Sequence, residues 1–228
     1  LNSKRAEWRP TTVDITAMKL FRAQIFSALA SLLLLARPLA AQTLTRFNAQ
    51  PAGSRVRLEG TSTVHDWTIE GALIGGSLEL DGGFLADPAK ARPGKISAKA
   101  QVVIPVRSLK SGKDAMDSVM QQAMRQETHP KIEYHLDELT LRETPKAAEG
   151  PFLCDSKGEL VIAGVTNKIE MPVTLQRADK ARLKISGAIT VKMTAYQITP
   201  PAPKIALGLI STGDDVKISF DWLTVAKP

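Results

Sequence analysis

Cysteine is nearly missing from this chain. Cys154 is the only one in 228 residues, so no internal disulfide can form, and neither a CxxC motif nor a multi-cysteine zinc site exists. It reads as a small buried apolar residue, because structural buried thiols are inert. Other absences narrow the function further. No Gly-x-Ser-x-Gly elbow surrounds Ser62, Ser108 or Ser111, which leaves a serine hydrolase without support. There is no phosphate loop or dinucleotide fingerprint. Nor is there a basic cluster: of the formal charge of +7, +4 belongs to residues 1–41 and +3 to the rest. Nucleic-acid binding needs a concentrated basic stripe and is not expected.

One long apolar run is present. Ile25 to Ala36 follows the basic Lys19 and Arg22 and precedes the small Ala40-Ala41, the three parts of a secretory signal. The run is too short to span a bilayer as a helix. The reading is therefore a signal peptide from about Met18 to Ala41, preceded by an over-extended start at Leu1–Ala17. One domain of 187 residues follows at 42–228, exported to the periplasm or medium and long enough for a real core.

From Gln42 onward short runs alternate apolar and polar residues between Gly, Pro, Asn and Asp breaks, the two-residue period of half-buried strands. The runs fall at Thr43–Asn48, Arg55–Glu59, His65–Glu70, Leu73–Leu80, Gly158–Ala163, Lys168–Leu175, Arg182–Met193 and Val216–Val225. Gly164 to Asn167 reads as a hairpin turn, and Arg142–Asp155 as a polar surface connection. In the last run Val216, Ile218, Phe220 and Trp222 share a face.

Ile96 to Val106 reads as a continuous strand. Beyond Ser108 the period changes: Ala115, Met116, Val119, Met120, Ala123 and Met124 recur at helical spacing, with Asp117, Ser118, Gln121, Gln122 and Arg125 opposite. Ser111 and Asp114 resemble a capping box, and His129-Pro130 is the expected stop. Ile132, Tyr134 and Leu136 then restore the strand period. About ten strands and one amphipathic helix, without βαβ alternation, predict an all-β antiparallel barrel with the helix at one end. Methionine, unbranched and adaptable, suits a helix face that meets an irregular or changing apolar partner.

His65-Asp66 invites an acid/base reading, and His65, His129 and His135 a zinc site. Neither is expected, since neighbours on a strand point to opposite faces and His129 and His135 sit elsewhere. A structural role fits better, with Asp66 accepting backbone N–H bonds in a turn and Trp67 closing one barrel end.

Taken together, several stretches resemble the YceI-like family. They are Gly60–Trp67; Ile104–Gly112; Met116 through His129-Pro130-Lys131-Ile132; Gly158-Glu159-Leu160 with Ile162 through Lys168; and Leu209 through Val216. The chain departs from the family pattern at His65-Asp66-Trp67 and at Gln126-Glu127-Thr128. The resemblance implies a secreted, extended antiparallel lipocalin-like barrel whose lumen holds a long isoprenoid-type lipid, while the residues themselves suggest no enzyme, cofactor or metal site. Eight-stranded barrels can hold one small ligand, with recognition of a polar headgroup expected at the rim. The lining candidates are Ile104, Met116, Met120, Met124, Tyr134, Ile189, Met193, Phe220 and Trp222.

The alternative reading is a barrel filled by its own side chains. It would dock on a membrane protein or a second copy of the chain through the apolar 200–210 loop, which at that length should fold over something.

Overall fold

Each apolar face found by alternation packs against the next, and the chain closes on itself. The computed structural model describes residues 44–147, 150–202 and 210–227. Residues 1–43, which hold the signal reading, and 203–209, most of the apolar loop, lie outside them.

The elements are β1 (Leu44–Ala49), β2 (Arg55–Ser62), β3 (Trp67–Gly71), β4 (Gly75–Asp81), α1 (Gly82–Ala86), β5 (Gly94–Ile96), β6 (Ala98–Pro105) and α2 (Asp114–Ala123). They continue with β7 (Lys131–Leu141), β8 (Phe152–Ile162), β9 (Val165–Arg177), β10 (Arg182–Lys192) and β11 (Thr212–Ala226).

These segments make eight antiparallel staves. β1 and β2 lie end to end along β11, with Phe47 opposite Ala226 and Val56 opposite Phe220. β3 and β4 lie end to end beside them, and β5 and β6 share β7. The remaining staves follow in sequence order to β11, and the β1–β11 pairing closes the barrel. Closure removes the sheet edges that would otherwise invite association.

The two ends are finished differently. At the lower end α1 is capped by Asp81, whose carboxylate accepts from the Gly83 N–H at 2.9 Å. Its Phe84 ring lies 4.5 Å from that of Phe152, Leu85 is buried, and Arg177 donates to the Leu85 carbonyl. At the upper end α2 bridges β6 and β7.

Several expectations are corrected. A short helix not expected from the sequence, α1, follows the Leu73–Leu80 run, because Asp81 caps the Gly82-Gly83 start. The strand from Ile96 is broken at Ser97. β8 begins at Phe152, within the supposed surface connection, because Phe152 and Cys154 point into the core, each 1% exposed. The β8–β9 turn is Ala163-Gly164, both left-handed at φ 50° and 80°, so Val165 to Asn167 belong to β9. A side chain at Gly164 would meet the His129 ring at 2.4 Å. Positive φ at two successive positions matches the right-handed twist of a two-residue hairpin.

Helix α2 also differs from expectation. Its N-cap is Lys113, without a side-chain bond, so Ser111 and Asp114 form no capping box. Ser111 instead donates its N–H and its hydroxyl to Asp117, each at 2.7 Å. Asp117 is therefore buried, at 4% exposure, rather than on the polar face. The helix ends at Ala123 and not at His129-Pro130. Arg125 turns left-handed at φ 53° and donates to the carbonyls of Ala163 and Gln197.

Candidate functional site

The inward side chains leave three cavities along the barrel, each sharing lining residues with the next. The upper chamber, about 380 Å³, lies beneath α2. Its roof is Ala115, Met116, Val119, Met120 and Ala123, one apolar face of α2, with Met124 at the helix C-cap. Its walls include Leu58, Ile69, Ile132, Val191, Met193 and Ile218, and its mouth Val64, His65, Pro201 and Ile210. A middle cavity of about 70 Å³ shares Leu58, Ile132 and Ile218 with the chamber. A lower cavity of about 50 Å³ shares Val102, Tyr134, Met171, Phe220 and Trp222 with the middle one. Below it the plug of α1, Phe84 and Phe152 closes the end.

All nine residues picked from sequence line this hollow. Met116, Met120, Met124 and Met193 line the chamber, and Ile104 and Ile189 the middle cavity. Tyr134, Phe220 and Trp222 border both lower parts. Met171 lines them too, so every methionine among the described residues faces the lumen. Long flexible thioethers can refit an apolar guest of irregular shape.

Ile132, Val191, Val216 and Ile218 line the chamber as well, though they are not among the lining candidates. Their two-residue spacing from Tyr134, Ile189 and Phe220 carried the signal. Tyr196 and Ile198 also line the chamber and are buried, but they come from a loop without periodicity. The Thr194–Tyr196 turn and Gln197, left-handed at φ 55°, fold that loop inward.

Polar groups in the lumen are few. Tyr134 and Ser156 share a 2.6 Å hydrogen bond between their hydroxyls, both buried. Burial pushes the Tyr134 phenol above its usual value, which the Ser156 bond only partly offsets, so it stays neutral. The Trp222 indole N–H is buried without an acceptor among the described residues. At the mouth stand Ser62, Lys113 and Thr212 beside His65.

The His65-Asp66 pair is not on a strand. Both residues are exposed in the turn before β3. The bonds of that turn run through Ser62 rather than Asp66: its hydroxyl donates to the His65 carbonyl at 2.6 Å and accepts from the N–H groups of Val64 and His65. Trp67 folds over Gly60, where a Cβ would stand 2.2 Å from the ring, and donates to the Thr61 carbonyl at 3.1 Å. It lines the chamber at this end. His129 packs on Gly164, and His135 lies 3.8 Å from Glu133. No group of three His, Cys, Asp or Glu among the described residues converges for a metal. Cys154 is buried, and burial, with the neighbouring Asp155 charge, pushes its thiol up to about 12.

Among solved structures the chain is similar to Burkholderia cenocepacia BcnA, at 19% identity and TM-score 0.55 over 75% of this chain and 95% of that one. It is also similar to a polyisoprenoid binding domain from Saccharophagus degradans implicated in plant cell wall breakdown. There the identity is 16% and the TM-score 0.56, over 81% of this chain and 99% of that one. Likeness at such identity is likeness of fold. No curated protein matches. The model of the YceI-like domain matches residues 47–223, most of the chain and nearly the whole barrel, and the protein belongs to the YceI-like family.

Proposed function

We propose that the protein binds a long-chain isoprenoid-type lipid in its barrel lumen and carries or sequesters it in the cell envelope. The observation that carries this reading is the apolar hollow itself, a chamber of about 380 Å³ with two smaller cavities beneath it that share its wall residues in turn. Burying hydrocarbon contributes on the order of 0.8 kcal/mol per methylene, so a few isoprene units give useful affinity without polar contacts. The polyisoprenoid-binding domain of similar fold supports the same ligand class.

Location in the envelope rests on the signal-like Met18–Ala41 segment. We read the protein as a binding protein rather than an enzyme. Its lumen offers apolar contact, and His65 and Asp66 sit in an exposed turn at the mouth. The filled-barrel alternative requires a packed interior, which the three cavities oppose. The described flanks of its docking loop, Pro201 and Ile210, line the chamber. Peripheral contact with the membrane that supplies the lipid follows from the reading. Pairing with a second copy is a separate outcome that sizing the purified protein would reveal.

The test is to purify the protein from its native compartment, extract it with organic solvent and identify bound lipid by mass spectrometry, alongside titration with a fluorescent prenyl probe. A prenyl lipid in the extract and saturable uptake of the probe are expected. Neither lipid nor uptake would overturn the reading.

A further inference from the structure

Between β9 and β10 the barrel wall has a long unpaired stretch. β9 and β10 are hydrogen-bonded partners only from Arg177–Leu183 to Val173–Gly187, although β9 runs on to Val165 and β10 to Lys192. Over the same stretch their outer neighbours stay paired, β9 with β8 to the Val165–Ile162 rung and β10 with β11 to the Lys192–Asp215 rung. On this side of the barrel the parting therefore lies in the β9–β10 seam and not in its two neighbours.

The sequence supplies its cause. In an antiparallel ladder alternate residues exchange N–H and C=O with a given neighbour. The Ala178 N–H donates to the Arg182 carbonyl at 3.0 Å, so even-numbered residues of β9 are the ones turned toward β10. Continuing that alternation past Val173, the next such residue is Pro172, opposite Ala188, and proline has no N–H to give. The ladder stops there.

The seam is framed above as well. Asn167 donates its side-chain amide to the Ala195 carbonyl at 2.9 Å, rejoining β9 to the turn after β10. Between this bond and the Val173–Gly187 rung lie residues 168–172, about 16 Å of strand at roughly 3.3 Å per residue. Behind the gap are Ile169, Met171 and Ile189 of the middle cavity and Val191 and Met193 of the chamber. The gap spans the level where the wide and narrow parts of the lumen meet.

We propose that this gap is a side window through which a single hydrocarbon chain passes between the lumen and a lipid surface. This rests on the reading that the lumen holds a lipid. A chain moving sideways between Ile169 and Ile189 reaches both the chamber and the narrow part without α2 being displaced. The outer faces of the window, Lys168, Glu170, Thr190 and Lys192, are exposed and polar, so the window stays wet on its outside and opens without breaking apolar contacts to a neighbour.

The test bridges the window. Glu170→Cys and Thr190→Cys, opposite one another by continuation of the register, are joined by a reducible thiol cross-linker. A control joins Asp66→Cys and Asp114→Cys across the upper mouth. Cys154 is buried and does not compete. Uptake and release of a fluorescent prenyl probe are followed by stopped flow. Bridging the window should slow both rates about tenfold or more, with affinity nearly unchanged and recovery on reduction, while bridging the mouth should leave the rates within about twofold. Pro172→Val, which returns the missing donor, should slow exchange in the same direction without any cross-link.

The opposite pattern, with the mouth bridge slowing exchange and neither window variant doing so, would overturn the window. A native chain that takes up no probe would remove the lipid reading, and the window with it.

Discussion

Ser111 gives both its backbone N–H and its hydroxyl to one oxygen of Asp117, each across 2.7 Å, while Lys110 brings its ammonium to 3.4 Å of the other. The preceding segment is itself bound to β3 through paired Glu70 and Lys110 backbone bonds of 2.8 and 2.7 Å. The start of α2, the roof of the chamber, is thus tied to the wall.

Asp117→Ala should cost about 1–3 kcal/mol in urea unfolding, because it leaves buried donors without an acceptor. Burial raises the Asp117 carboxyl, but the bonds from Ser111 and Lys110 outweigh it and hold the group below its usual value. A depressed carboxylate stabilises above its unfolded value and loses that contribution as pH falls through the folded one. The wild-type advantage over Asp117→Ala should therefore shrink below pH about 4. An advantage independent of pH would contradict the arrangement.

The buried Tyr134–Ser156 pair should behave non-additively. Tyr134→Phe or Ser156→Ala alone leaves one buried hydroxyl unpaired and should cost about 1–3 kcal/mol, whereas the double change should cost less than the two added together. Simple additivity in a double-mutant cycle would show that the hydroxyls do not depend on each other.

Cys154 should resist a thiol reagent at pH 8 in the native protein and react on unfolding, since its thiol is buried and pushed up to about 12. Its raised folded value gives a contribution present below the unfolded pKa and lost as pH rises above it. Stability should accordingly decline above pH about 9 relative to Cys154→Ala. Rapid native labelling would contradict this.

Filling the hollow should separate binding from folding. Val191→Trp places an indole in the chamber and should weaken prenyl-probe binding about tenfold or more, a loss of about 1.4 kcal/mol. Because the space is open, unfolding stability should change by less than about 1.5 kcal/mol. Gly187→Ala is the contrast, since its Cβ would stand 2.8 Å from the Phe220 ring. Overpacking of that kind should cost about 1–3 kcal/mol. Undiminished probe binding by Val191→Trp would place the ligand elsewhere.

The sequence by itself determined which faces turn inward. Two-residue alternation placed Ile104, Tyr134, Ile189, Phe220 and Trp222 toward a common interior, and helical spacing did the same for Met116, Met120 and Met124, because the pleat and the helix each repeat at a fixed period. It also carried the seam, through Pro172, where a donor is missing by covalent structure. Tertiary structure decided what periodicity does not encode. Arg125 leaves the helix early because its guanidinium reaches carbonyls on two other segments, and Asp117 is buried because Ser111 and Lys110 satisfy it there. The lumen is hollow rather than filled because of how eight staves, two end helices and one inward loop divide the space, a quantity that no single stretch of chain contains.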